Sequence, residues 1–546
     1  MFWADRIAGE VQEHFKGKAP ILIRDEKTPS GRVHIGSMRG VAIHGVISEA
    51  LRDKGVASVF KYEFNDLDPM DGFPEYLPEE FRKYMGMPLS RIPSPDGKAK
   101  NFAEYFAEEF KEVILHAGFT PEFYNVSELY LSGKMDEAIR VALTHAADIR
   151  RIYREVSGSQ KPDDWYPLQV ICQQCGKVGT TKVVAFDGTE VSYLCEPAMV
   201  TWAAGCGHEG KISPFGGNAK FPFKVEWPAK WKVLGVMVEG AGKDHSTKGG
   251  ARDVAAHIAK EVFAYETPMN APYEFFLVGG KKMSSSKGRG SSAKEVSELV
   301  PQKIFRLALL GKEINQAINF DPEGDTIPIL YDQYDKLATG YWAGVKDDYA
   351  RLFEFLHPAS KEVASKRSSG FLSRLFGGQS KASRKLPAKT FLPRFSQVAF
   401  IVQMPHLDLE AEIAKIKGST LTADDNTELA ERALYAKRWL ETYAPERFVF
   451  KLQDTLPEAA RALTGNQKEA LAEIRAFIEG SATMPNGEEL HKKLHEIKEL
   501  QGLKPAELFG AIYLAFLDKN SGPQAGWFLS SLPREFVLKR LKEVGD

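Results

Sequence analysis

The chemistry-bearing residues of this 546-residue chain fall into three clusters. In KTPSGRVHIGSMRG, Pro29, Ser30 and Gly31 spell a turn, and His34, Gly36 and Ser37 stand where a helix would open. A helix N-terminus presents unpaired N–H groups and the positive end of its dipole, so it attracts phosphate. Gly36 would let a planar ring or a phosphate approach the backbone closely. The His34 ring can donate to a phosphate oxygen. Taken alone, a histidine beside a glycine is as readily a capping or packing residue.

The second cluster is FLVGGKKMSSSKGRG, where a short apolar run ends on Gly279 and Gly280 and gives way to Lys282, Met283, Ser284, Ser285, Ser286 and Lys287. Such a donor-rich loop, hinged on glycines, can close over a triphosphate and offset charge that develops during nucleotidyl transfer. Lysine suits a phosphate that moves, being a point charge on a flexible stem. The plain alternative is a polar surface loop.

All four cysteines lie in one window. CQQC supplies Cys172 and Cys175, followed by Cys195 and then Cys206 and His208 in GCGH. Paired knuckles of this kind are tetrahedral zinc spacing, and with no position left open the zinc would be structural. Five candidates compete for four places. The four thiolates are favoured, with His208 as the substitute for Cys195.

These clusters need a scaffold. APILIRDEK reads as a strand, GSMRGVAIHGVISEALRDKG as a helix and VASVFKYEF as a second strand, a βαβ unit that implies a parallel sheet. Residues 66–100 read as loops, with helices near 101–116 and 134–156. From about residue 161 to 231 the helical period fades and Cys, Gly and aromatics rise. The βα pattern then resumes: WKVLGVMVEG as a strand, AGKDHSTKGG as a loop, ARDVAAHIAKEVFAY as a helix and YEFFLVGG as a strand. An α/β domain is thus split by an insertion. Beyond residue 298 the period is helical, as in LHKKLHEIKEL, with Leu490, Leu494 and Ile497 on one face. Residues 358–395, rich in Ser, Gly and basic side chains, read as a flexible linker or a segment that follows a phosphate backbone.

A net charge of −1 means that a polyanionic partner must be met by local basic patches. There is no apolar run of about 18 residues, hence no membrane span, and the charged amphipathic N-terminus is not a signal peptide. Four cysteines argue for a reducing compartment, so a cytoplasmic protein is expected.

The pairing of His-Ile-Gly after the first strand with Lys-Met-Ser-Ser-Ser after the last resembles the class I aminoacyl-tRNA synthetases. With PSGRVHIGS, GKDH, KMSSSKG, CGHEG and KVEW together, the chain resembles the class I lysyl-tRNA synthetases over nearly its whole length. Two positions depart from the superfamily consensus, Ser37 for a second histidine and Ser285 for an inner lysine; both look normal for the lysine branch. The resemblance implies a Rossmann-type α/β catalytic domain with a zinc-binding insertion, followed by an all-α anticodon-binding domain. It divides the chain into catalytic halves at 1–160 and 232–298, an insertion at 161–231 facing the acceptor stem, a helical stem-contact region at 299–357, a basic linker at 358–395 and the anticodon domain at 396–546.

It also implies ATP with Mg2+, lysine and tRNA(Lys) as reactants. ATP contacts are expected at Pro29, Ser30, Gly31, His34, Gly36, Ser37, Asp244, His245, Lys282, Met283 and Lys287. His34, Ser37, Lys282, Ser284, Ser285 and Ser286 would carry the catalysis. An ε-ammonium needs carboxylates or aromatic faces; the candidates are Asp66, Asp68, Phe223, Trp227, Tyr273 and His245, with Trp231 nearby. Anticodon bases are read by stacking, for which Trp439, Tyr443 and Trp527 are candidates, although a core role is favoured for them. Two alternatives stay open: a class I synthetase for glutamate or arginine, and a silent tRNA-binding paralogue.

Overall fold

The computed structural model describes residues 1–280, 292–358, 384–404 and 406–545. Lys282, Met283, Ser284, Ser285, Ser286 and Lys287, with 359–383 of the basic segment, lie outside the described residues. The chain forms two compact units, one of residues 1–321 with 336–387 and the other of 322–335 with 388–546. Residues 299–321 and 336–357 therefore pack with the α/β part.

In the first unit, helix α1 (Trp3–His14) leads into strand β1 (Ile21–Lys27), helix α2 (Met38–Asp53) and strand β2 (Ser58–Phe64). Helix α3 (Phe102–His116) follows and then strand β3 (Glu122–Asn125), which the sequence reading left out. β1, β2 and β3 pair in parallel in the order 1-2-3. α2 is buried along nearly its whole length, because α1 covers one side and the sheet the other. Its Gly45 permits this closeness: a Cβ there would stand 2.4 Å from the Phe119 ring.

Helices α4 (Val126–Leu131), α5 (Asp136–Thr144) and α6 (Ala146–Ser157) come next. The insertion contains the two-stranded pair β4 (Gln169–Val170) and β8 (Ala219–Lys220), which encloses an antiparallel sheet of β5 (Thr181–Phe186), β6 (Val191–Cys195) and β7 (Glu209–Ile212). Its Val170, Val183, Val191 and Tyr193 share one core with Tyr130, Ile139, Ile149 and Ile152 from the preceding helices.

WKVLGVMVEG is not one strand. Trp231–Leu234 are the last turn of helix α7 (Phe223–Leu234), which ends where Gly235 takes φ 73°. The aromatic residues at 223, 227 and 231 follow a helical, not a strand, period. The chain then runs extended: Val238 bridges Ile23 on one side and Met269 on the other, both in parallel, and Gly242 bridges Tyr273. Helix α8 (Ala251–Glu261) makes that crossover. Strand β9 (Phe276–Val278), helices α9 (Ala293–Ser297) and α10 (Gln302–Leu310) and strand β10 (Ile318–Phe320) complete the layer, with β9 and β10 parallel. The sheet therefore grows outward from β1 in both directions. Between β1 and the Val238 segment lies the point at which open α/β sheets bind ligands, beyond the carboxyl ends of their strands.

The second unit is helical among its described residues. Thr422, Thr464 and Asn486 each open a helix with a reciprocal capping box, closed by Asp425, Gln467 and Glu489. Leu471, Ile474, Ile478, Leu490, Leu494 and Ile497 are all buried. Trp439 is fully buried, its indole N–H donating to Pro322 at 3.0 Å; it is core, not an exposed stacking surface. No helix among the described residues is long and apolar enough to cross a membrane.

Candidate active site

A pocket of about 400 Å³ opens at the switch point. One side comes from His34, Gly36 and Ser37 at the start of α2, the other from Phe223, Trp227, Gly242, Asp244, His245 and Tyr273. The floor is the charged end of β1 with Asn65 and Glu239. Of the expected residues, these eight converge: His34, Gly36, Ser37, Phe223, Trp227, Asp244, His245 and Tyr273.

The His34 turn sits directly on β9. A Cβ on Gly36 would stand 2.8 Å from His34 Nδ1 and 3.3 Å from the Phe276 carbonyl oxygen. On the far side of the Lys282 motif, Ser292 bridges His34, and the Ala293 N–H donates to the Val33 carbonyl at 2.8 Å. Both flanks of the second motif thus lie against the first.

Asp66 sits elsewhere, and Asp68 stands at the pocket's edge, behind Thr28. Asp66 is buried and accepts the Ser127 N–H at 2.9 Å and its hydroxyl at 2.6 Å, fastening the start of α4. It lines a separate pocket of about 300 Å³ with Arg91, Lys100 and Glu128. Asp68 pairs with Lys220 at 2.8 Å and accepts the Thr28 hydroxyl. Pro29 and Ser30 are buried within the turn, as is Gly31.

Sequence reasoning missed a buried charge network under the pocket. Arg24, fully buried, reaches Glu239 at 2.6 Å, Glu26 at 2.6 Å and Glu63 at 2.9 Å. Lys230, also fully buried, reaches Glu26 at 2.5 Å, Glu63 at 2.6 Å and Glu226 at 3.3 Å. Burial works against the Lys230 ammonium, but Glu226, Glu26 and Glu63 outweigh it and hold it well above the ordinary lysine range. Glu226 further accepts from Asn65 at 2.8 Å and from Tyr130 at 2.7 Å. Every charge is paired and hydrogen-bonded, the condition under which burial is tolerated.

A signal for this network existed. Buried parallel strands are usually near-continuous apolar runs, whereas β1 reads ILIRDEK, turning wholly charged at its carboxyl end. Alternation then sorts that run. Asp25 and Lys27 share the face toward α2, where a Cβ on Gly40 would stand 2.6 Å from Asp25 Oδ2 and 2.8 Å from the Tyr273 hydroxyl. Arg24 and Glu26 share the opposite face with α7. His44 closes the α2 side: its Nε2 accepts the Gly240 N–H at 2.7 Å, so Nδ1 carries the proton and donates to the Gly40 carbonyl at 2.8 Å.

The thiols of Cys172, Cys175, Cys195 and Cys206 lie within 4.8 Å of one another. Cys172 to Cys206 and Cys175 to Cys195 are both 3.7 Å. A tetrahedron with Zn–S bonds of about 2.3 Å has S–S edges of about 3.75 Å, so the set fits such an ion. His208 is outside it: its carbonyl accepts the Cys195 N–H at 2.9 Å, while its ring packs near Tyr193 at 5.9 Å.

Residues 1–359 match the family model described as "tRNA synthetases class I (K)". A lysine–tRNA ligase of Methanosarcina barkeri (strain Fusaro) is 34% identical, with 100% of this chain and 98% of that protein aligned. One of Archaeoglobus fulgidus is 30% identical over 99% of each. Among solved structures, a glutamate–tRNA synthetase of Elizabethkingia anophelis aligns over 96% of this chain and 99% of its own, at 12% identity and a TM-score of 0.40.

Proposed function

Since this chain belongs to the class I (K) tRNA synthetases, we propose that it is a lysine–tRNA ligase, acting in translation in the cytoplasm. It would join lysine to ATP as lysyl-adenylate with release of pyrophosphate, then pass the lysyl group to the 3′ end of tRNA(Lys). The observation that carries this reading is the placement of Phe276 and Ser292, on either side of the Lys282 motif, against the His34 turn at the mouth of the pocket.

In this reading the N–H groups at the start of α2, with His34 and Ser37, hold the ATP phosphates, and Gly36 lies under the adenine. Mg2+ arrives with the nucleotide as part of the substrate. Asp244 and His245 face the ribose. Lys282 and Ser284 to Ser286 hold pyrophosphate as it leaves. Phe223, Trp227 and Tyr273 enclose the lysine side chain, with aromatic faces suited to an ammonium. The four cysteines would hold a structural zinc that orders the insertion, which in turn faces the acceptor end. The helical second unit takes the anticodon.

The test is ATP–pyrophosphate exchange across the twenty amino acids, with and without total tRNA. Exchange with lysine alone supports the reading. Exchange with another amino acid keeps the fold and mechanism and overturns the lysine assignment. No exchange in either arm, with zinc supplied, leaves a tRNA-binding paralogue.

A further inference from the structure

Lys27 takes no part in the charge network beneath the pocket, and its surroundings are unusual. It is the last residue of β1, fixed by a backbone bond in which the Asn65 N–H donates to its carbonyl at 3.0 Å. Its side chain lines the pocket and is partly buried. Among the described residues its ammonium makes no hydrogen bond and no ion pair within 4.0 Å. The neighbouring buried cations are held: Arg24, Lys220 and Lys230 each reach at least two carboxylates, and Arg39, on the same pocket, donates to the Leu309 and Glu313 carbonyls. Burial lowers the affinity of Lys27 for its proton, and the more distant Asp25 and Asp68 only partly offset this. A cation set into a pocket without a counter-ion is one whose partner comes with the ligand.

The strand supplies the rest of the geometry. Asp25 and Lys27 lie two residues apart on one face of β1, which spaces them by about 6.6 Å along the strand. A carboxylate and an ammonium borne on successive positions of one strand face offer partners for the α-ammonium and α-carboxylate of a zwitterionic amino acid. We propose that Lys27 is a catalytic residue that binds the anionic oxygens of the reacting centre, the α-carboxylate of the amino acid and the α-phosphate of ATP as they join. This rests on the synthetase reading above, but not on the identity of the amino acid. In that step a carboxylate oxygen forms a bond to the α-phosphorus. The bond from that phosphorus to the oxygen bridging to the β-phosphate breaks, and the electron pair leaves with pyrophosphate. Two anions must approach each other first, and one fixed positive charge between them offsets their repulsion.

The experiment compares the full-length wild type with Lys27→Met and Lys27→Arg. ATP–pyrophosphate exchange is measured with whichever amino acid the wild type activates best. Binding is measured by calorimetry in four arms: ATP against adenosine, and that amino acid against its amide. The Met variant is expected to lose about 10²–10³-fold in kcat, with Arg recovering part of it. Weaker ATP binding with adenosine unchanged assigns the contact to phosphate. Weaker amino-acid binding with the amide unchanged assigns it to the carboxylate. Thermal melting separates a structural role. Removing an unpaired, partly buried charge should leave the Met variant melting at or above the wild type, whereas a structural cation would lower it. Exchange within twofold of wild type, or equal losses in both members of each ligand pair, overturns the proposal. A wild type that exchanges with no amino acid defeats the synthetase reading separately; the ATP-against-adenosine arm still decides whether Lys27 binds phosphate.

Discussion

The carboxylate of Glu239 accepts the indole N–H of Trp227 at 3.0 Å. Its other oxygen takes the indole N–H of Trp231 at 2.6 Å, and Arg24 closes the set at 2.6 Å. Phe223, Trp227 and Trp231 form one stripe along α7, running from a half-open pocket wall to the closed core, with Phe223 40% exposed and Trp231 at 0%. One buried anion thus fixes the orientation of the aromatic wall.

Trp227 and Trp231 should separate in their effects. Trp227→Phe keeps a ring but loses its bond to the carboxylate, a loss of roughly 1.5–3 kcal/mol for a charged partner. It should raise the KM for the amino acid about tenfold or more while leaving that for ATP within a few-fold. Trp231→Ala should cost about 3–5 kcal/mol in folding, with little change in KM for the folded fraction. Steady-state exchange kinetics and denaturant melts on the two variants check this, and equal KM effects would contradict it.

Gly40→Ala should damage the pocket floor without changing any polar group. The added methyl would meet Asp25 Oδ2 at 2.6 Å and the Tyr273 hydroxyl at 2.8 Å, both closer than real Cβ contacts, so one of them must move. Overpacking of this kind costs about 1–3 kcal/mol. The expected result is a drop of at least tenfold in kcat/KM for the amino acid, against an unchanged response to Gly9→Ala, where nothing lies within 4 Å.

Metal content should distinguish the fifth candidate ligand. The wild type and His208→Ala are expected to retain about one zinc per chain, and Cys175→Ser or Cys195→Ser to lose it. Chelation should raise hydrogen exchange across residues 170–212, since structural zinc contributes folding energy directly. Loss of zinc in His208→Ala would reassign the site.

The second unit should carry an acid-sensitive clasp at Asp425. Burial pushes its carboxyl up, but Lys417 at 2.7 Å, the N–H groups of Thr422 and Phe391 and the Thr390 hydroxyl outweigh this and hold it well below the ordinary carboxylate range. A carboxyl held low in the folded chain contributes stability above its unfolded value near 3.9, and that contribution fades as pH falls below it. Asp425→Asn should therefore melt lower than wild type at pH 7, with the gap narrowing below about pH 4. A gap that widens on acidification would refute the clasp.

The local patterns carried far in this chain. The βαβ start, the helical period through Leu490, Leu494 and Ile497, the cysteine knuckles and the turn that sets His34 beside Gly36 are all written within a few residues of themselves, because caps, periods and turns are short-range effects. The four-residue charged end of β1 was also visible, but its meaning was not. Only the parallel pairing with β2 and the packing of α7 decide that Arg24 and Glu26 face Lys230 while Asp25 and Lys27 face the pocket. Tertiary structure alone sent Asp66 to α4, away from the site, held Asp68 between Thr28 and Lys220 at the pocket's edge, and put Glu239 behind the aromatic wall. A buried charge is stable only beside its partner, and the partners here are separated by up to 215 residues. Sequence determined which residues had the chemistry; the fold determined which of them meet.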